Sequence, residues 1–185
     1  LQELTDDKEL ALKNDALNYL LNQDVPKQWI KKHPILKNKG EAHQYLPVER
    51  VKLMLTQIFQ VWESEIIDYK QLFNSVSVHV RLRVRNPLNG EWITHDGVGA
   101  VDVQTKSGAS ASDLAQIVPS AVMKALPAAA SYALKNAAEK LGSIFGGNLQ
   151  KYDISPFTPL YDKELKEKMH SELKQKFGDG TETVK

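Results

Sequence analysis

The segment that most constrains this chain runs from residue 128 to residue 149, AAASYALKNAAEKLGSIFGGNL, an alanine-rich stretch that ends in glycines. Its period is helical: Leu134, Ala137, Ala138, Leu141 and Phe145 share one apolar stripe, and Lys135, Asn136, Glu139, Lys140 and Ser143 share the other side. Pro127 suits the first turn of such a helix, and Gly146 with Gly147 suits its C-terminal stop. The apolar side is mostly alanine and has little bulk, so the helix backbone can lie close to whatever it covers. The residues upstream supply a partner, a sheet.

Between residues 76 and 85 the period is two. Val76, Val78, Val80, Leu82 and Val84 alternate with Ser77, His79, Arg81, Arg83 and Arg85, the pattern of a strand with one face on a core and one face open. Arginines on alternate positions stand about 7 Å apart, close to the spacing of phosphates along an extended single strand. No acid faces them within the segment, so the open face is expected to be basic. It is either a polyanion contact or a solvated strand face. Asn86 to Gly90, NPLNG, has the turn residues of a hairpin loop, and a return strand follows over residues 91–100, extending toward Val103. Gly97-Val98-Gly99 lacks the third glycine and the following helix of a dinucleotide fingerprint. Glycines inside a strand mark a bulge or a place where a helix backbone comes close. The expected fold class is α+β, an antiparallel hairpin or small sheet packed by a long helix, with flanking helices.

Around this core, residues 6–23 read as a helix with Leu10, Leu17, Leu20 and Leu21 on one side. Residues 26–39, PKQWIKKHPILKNK, hold Lys27, Lys31, Lys32, Lys37 and Lys39 with Trp29 among them and no acid. That run is either a phosphate grip with a stacking surface or a solvated loop anchored by its tryptophan. Pro47 opens a helix on which Val48, Val51, Leu55, Ile58 and Trp62 recur, with Arg50 and Lys52 off the stripe near the end where the dipole disfavours cations. Residues 104–112 read as an exposed flexible loop carrying Lys106, and residues 113–126 as partly helical, with Pro119 starting, kinking or stopping the helix. A last helix is expected over residues 160–177, followed by a disordered tail from Gly178. The expected divisions are an N-terminal helix and basic arm (1–46), a core (47–149) and a C-terminal extended segment, helix and tail (150–185).

Composition excludes more than it assigns. Lys and Arg (24) exceed Asp and Glu (23) by one, so any polyanion site is a local patch. The absence of cysteine excludes a disulfide framework, a thiolate zinc site and a cysteine nucleophile. No apolar run approaches the roughly 18 residues of a membrane span, and nothing resembles a signal peptide. His33, His43, His79, His95 and His170 have no spacing that puts two on one helix face, so no metal is expected. Neither a phosphate-cradling GxxxxGK[ST] loop nor a GxSxG elbow is present. His95 and Asp96 are neighbours on a strand and point to opposite faces, so they do not form an acid–base pair. No catalytic residue and no cofactor are expected.

Taken in order, a helix beginning PVERV, a strand VHVRLRV, the hairpin NPLNGEW, then HDGVGA, a basic loop and AAASYALKNAAEKLGSIFGGNL, the chain resembles the DNA-binding domain of the Rad52 family of single-strand annealing proteins, with its phage and bacterial relatives. Phe59 and Trp62 match the family's FxxW-like aromatic end of the first helix, and Asp96, Gly97 and Gly99 its acidic-glycine segment. Ala129, Leu134, Lys135, Ala137, Leu141, Gly142, Gly146 and Asn148 match its signature helix, with one extra residue before the asparagine. The resemblance covers about residues 47–149. It implies a β-β-β-α core with a curved sheet, and an oligomeric ring whose subunits form a continuous groove for single-stranded DNA, backbone inward and bases presented for pairing.

By that resemblance, Arg50, Arg81 and Lys135 are inner-groove phosphate contacts, helped by Arg83 and Arg85, and Asn136 and Lys140 are DNA-binding residues of the same groove. Asn136 stands where the family has a second basic residue and Glu139 where an arginine is common, a loss that Lys140, Arg83 or Arg85 must offset. Lys106 matches a lysine of the family's outer DNA site, to which Lys27, Lys31 and Lys32 are added from the basic run. The expected function is ATP-independent annealing of complementary strands in recombination, in the cytoplasm of a bacterial or phage-infected cell. Expected partners are single-stranded DNA, further copies of the chain, and a recombinase, exonuclease or single-strand-binding protein. Two alternatives remain: a protein that protects single strands or DNA ends, or loads a recombinase, without annealing; and a structural ring that has lost DNA binding.

Overall fold

The computed structural model describes residues 7–38, 40–110, 112–151, 171, 172, 174 and 175. The described residues form an α+β structure, with a two-stranded and a three-stranded antiparallel sheet and three main helices among them. Contacts divide the chain into two compact units, residues 51–140 and the segments flanking them.

In the unit of residues 51–140, strands β3 (Trp62–Leu72), β4 (Ser75–Arg85) and β5 (Trp92–Asp102) form a meander in the order β3-β4-β5. Helix α3 (Pro119–Ala138) lies on one face of β4 and β5. The alternation in β4 sends Val78, Val80, Leu82 and Val84 inward, each no more than 3 % exposed. Against them α3 sets Ala129, Ala133 and Ala137, all fully buried. A Cβ at Gly97 would stand 2.1 Å from the Ala133 carbonyl oxygen, and one at Gly99 2.4 Å from that of Ala129. The two glycines therefore let the helix backbone touch the strand, the second of the two readings that the sequence left open. The match repeats because four helical residues rise about 6 Å and two strand residues rise nearly 7 Å.

The helix differs from its expected limits. Residues 119–138 form one helix with Pro119 in its first turn and Pro127 inside it. Pro127 is exposed, so the Met123 carbonyl that loses its helical N–H partner lies on the solvent side and not in the core. The helix ends at Ala138, and residues 139–141 and 143–145 continue as separate 3₁₀ turns. Gly146, with φ of 101°, supplies the left-handed stop. Helix α2 (Val48–Phe59) buries Val51, Met54, Leu55, Ile58 and Phe59 but stops before Trp62, which opens β3. Gln60 adopts a positive φ of 61°, and the Trp62 Nε1 donates to Thr56 Oγ1 at 3.0 Å, turning the chain from helix into strand.

The loop after β5 is less free than its composition implies. Thr105 bridges Ile117, the Val118 amide donates to Gln104 O and the Lys106 amide to Gln116 O, beside a small cluster of Val103, Ala121 and Ala125. In the other unit, helix α1 (Lys8–Leu21) is capped by Asp7, whose side chain accepts from the Leu10 amide. Its buried line is Ala11, Asp15 and Tyr19; of the expected leucines Leu21 is buried, and Leu10, Leu17 and Leu20 are half-buried. The basic run is a β-hairpin rather than a loop, β1 (Lys31–Asn38) pairing with β2 (Glu41–Tyr45). The expected last helix lies mostly outside the described residues; 171, 172, 174 and 175 are helical and exposed. The tail from Gly178 lies outside them entirely.

Candidate nucleic-acid interface

The face of the sheet opposite α3 is built by the other half of the alternation. Across β4 from Arg81 stand Glu65 on β3 and Asp96 on β5; across from Arg83 stand Glu63 and Thr94; across from Arg85 stands Trp92. Residues paired in this way have side chains close enough to interact. Arg81 Nε and Nη2 donate to the two oxygens of Asp96 at 2.9 and 3.0 Å, a bidentate fork. Arg83 Nη1 donates to Glu63 Oε1 at 2.5 Å, and Arg85 Nε to the Gly90 carbonyl oxygen at 3.1 Å. His79 Nε2 lies 3.2 Å from Asp96 Oδ2. The expectation of a basic face with no opposing acid is thus corrected: the acids come from the neighbouring strands, which the β4 sequence does not contain.

Glu65, Arg81, Arg83, Thr94, His95 and Asp96 line an open depression of about 510 Å³ on this unit. The hydrogen bond from Arg81 is the main reason that the Asp96 carboxyl is held down to about 2, with His79 adding to it. Asp96 is therefore ionised throughout the physiological range. Burial, then the Lys140 ammonium, push His95 below its ordinary value and keep it neutral at pH 7. In the register His95 pairs across from Leu82 and Asp96 across from Arg81, although both contribute to the lining of the depression. The guanidinium of Arg83 also lies 4.8 Å from the centre of the Trp92 ring.

The candidates on α3 and in the 3₁₀ turn after it have a different setting. Asn136 Nδ2 donates to the Val98 carbonyl at 2.7 Å, and Lys140 Nζ donates to the Asp96 carbonyl. These two side chains, one turn apart, satisfy alternate carbonyls of edge strand β5. Lys135 Nζ sits 4.8 Å from the Tyr132 ring centre. Lys106 is exposed in the turn after β5. Arg50 belongs to the other unit, where its guanidinium lies 5.2 Å from the Trp29 ring centre. In that unit Lys27 sits in a 3₁₀ turn, and Lys31 and Lys32 are consecutive exposed residues of β1 whose side chains leave opposite faces. The structure thus gathers Arg81, Arg83 and Arg85 on one face, and sets Asn136 and Lys140 at the β5 edge.

The sequence matches the Rad52/22 family of double-strand break repair proteins over residues 13–176. The chain belongs to that family. No curated protein matches it. As a Rad52/22 protein it falls within DNA recombination and repair, and the family match extends well beyond residues 47–149, from which the resemblance was read. Among the described residues no group of histidine and carboxylate side chains could hold a metal ion. No described helix is long and apolar enough to cross a membrane. Three residues of the Rad52/22 sheet face escaped the sequence reading: Glu63, Glu65 and Trp92. The two glutamates are signalled by their alternation, WESE, at the start of β3, and Trp92 by its place immediately after a hairpin turn.

Proposed function

We propose that the protein anneals complementary single strands of DNA without nucleotide hydrolysis, as a closed ring of identical subunits, and that the open face of β3, β4 and β5 is its strand-binding surface. The observation that carries this reading is the row of Arg81, Arg83 and Arg85 on one solvent-facing side of β4, in a chain of a DNA repair family. Phosphate contacts grip a strand without reading its sequence, which annealing of arbitrary complements requires. Pairing is downhill once two strands are held extended with their bases free, so no energy source or enzymatic step is needed. A few arginines bind weakly, whereas a ring repeats them and makes each later contact intramolecular. The carboxylates partnering Arg81 and Arg83 are exchanged for phosphates on binding. Separately from that face, and by the family resemblance, Arg50, Lys135, Asn136 and Lys140 are further phosphate contacts, and Lys106, Lys27, Lys31 and Lys32 serve a weaker second surface. The protein acts in the cytoplasm beside a recombinase, exonuclease or single-strand-binding protein.

The test is the pairing rate of two complementary oligonucleotides with and without the protein, in the absence of nucleotide. Acceleration over the spontaneous rate supports annealing. Tight binding without acceleration selects a protecting or recombinase-loading role, and no binding to single strands sinks both. Charge reversal at Arg50, Arg81 and Lys135 to glutamate must weaken binding; unchanged affinity in all three moves the site elsewhere. Light scattering that returns a single subunit rules out the ring.

A further inference from the structure

We propose that Trp92 is a stacking platform for a nucleobase, so that the open face grips bases as well as phosphates. The proposal rests on the reading of that face as a single-strand site. Trp92 opens β5 and shares the side of the strand that carries Thr94 and Asp96, directly across from Arg85. It is 44 % exposed, unusual for the side chain with most to gain from burial. The guanidinium of Arg83 lies over the ring, so the indole sits beside two cations, Arg83 and Arg85, either of which could hold a phosphate.

A phosphate at either arginine brings its own base within reach of the indole. Stacking uses the flat face of a base and leaves its Watson–Crick edge free, which is what a strand awaiting its complement needs. Every base has such a face, so the contact is tolerant of sequence. The arginine on the ring is compatible with this role, since guanidinium and base can stack on one aromatic system.

The experiment compares oligo(dT) with an abasic oligomer of equal phosphate number, for the wild type, Trp92→Leu and Trp92→Phe, each shown to be folded by circular dichroism. The wild type is expected to bind oligo(dT) roughly fivefold or more tightly than the abasic oligomer. Trp92→Leu is expected to lose most of that preference while its abasic affinity and salt dependence stay put, and Trp92→Phe to keep much of it. Equal weakening of Trp92→Leu on both oligomers, with a shallower salt dependence, overturns the proposal and makes Trp92 a residue that only positions Arg83. A wild type that binds both oligomers equally also overturns it while leaving the strand-binding surface intact. A wild type that binds neither removes the surface itself.

Discussion

On one face of the three-stranded sheet Val78, Val80, Leu82 and Val84 are buried against an alanine-lined helix; on the other, His79, Arg81, Arg83 and Arg85 stand among Glu63, Glu65, Asp96 and Trp92. The same strands make both faces from alternate residues, yet different physics governs each. The helix-side face tolerates almost no added volume, because backbone meets backbone at Gly97 and Gly99. The open face is governed by charge, because Arg81 and Arg83 are held by carboxylates of the neighbouring strands and Arg85 by the Gly90 carbonyl.

The largest effect expected is on the covered face. Gly97→Ala puts a methyl group against the Ala133 carbonyl and the Ala137 amide, and neither helix nor strand can shift without breaking the contact. It is expected to cost on the order of 3 kcal/mol, read from the denaturant midpoint. A neutral outcome means that α3 does not lie on β5 at this distance. On the open face, Arg83→Glu sets a carboxylate opposite Glu63 and is expected to lower the denaturant midpoint only slightly, and to weaken single-strand binding about tenfold or more at low salt, evenly across sequences. A loss confined to certain sequences contradicts phosphate contact.

Asp96→Asn separates the resting state of the open face from its bound state. Removing the charge partner of Arg81 is expected to raise single-strand affinity severalfold, roughly the inverse of losing one phosphate contact. The same variant tests the acid limb of stability. Because the folded Asp96 carboxyl titrates at about 2, below its ordinary 3.8, its ion pair contributes fully above about pH 4 and is lost as pH falls through 2. The melting-temperature gap between wild type and Asp96→Asn should close as pH falls across that window, and a constant gap contradicts the pairing. The smallest effect belongs to the β5 edge, where Asn136→Ala removes the bond to the Val98 carbonyl. It is expected to cost about 0.5 kcal/mol, because the freed carbonyl can turn to water.

Much of the covered face was legible because its signals are local. The alternation of residues 76–85, the NPLNG turn and the two glycines facing an alanine-rich helix each lie within one short stretch. Strand β3 was not legible as a strand. Its register shifts at Ile66 to Asp68, so Ile66 and Ile67 stand side by side and the period of two is broken. The loss of β3 hid Glu63 and Glu65, and with them the charge balance of the open face. Trp62 keeps helical spacing from Ile58 and so reads as part of α2, but Gln60 at positive φ reverses the chain between them.

The sequence by itself determined the α+β class, the order of strand, hairpin, strand and helix, and the family, since all of these follow from period and motif along a continuous stretch; for Gly97 and Gly99 it left a bulge and a close helix contact as alternatives, and the packing decided between them. Tertiary structure alone decided which groups partner the arginines. Asp96 reaches Arg81 and Glu63 reaches Arg83 only once three strands are paired in one register, and a bulge of a single residue in β3 changes which side chains meet. Charge alternation along one strand states how many cations a face carries, whereas the free charge that face offers depends on its neighbours across the sheet.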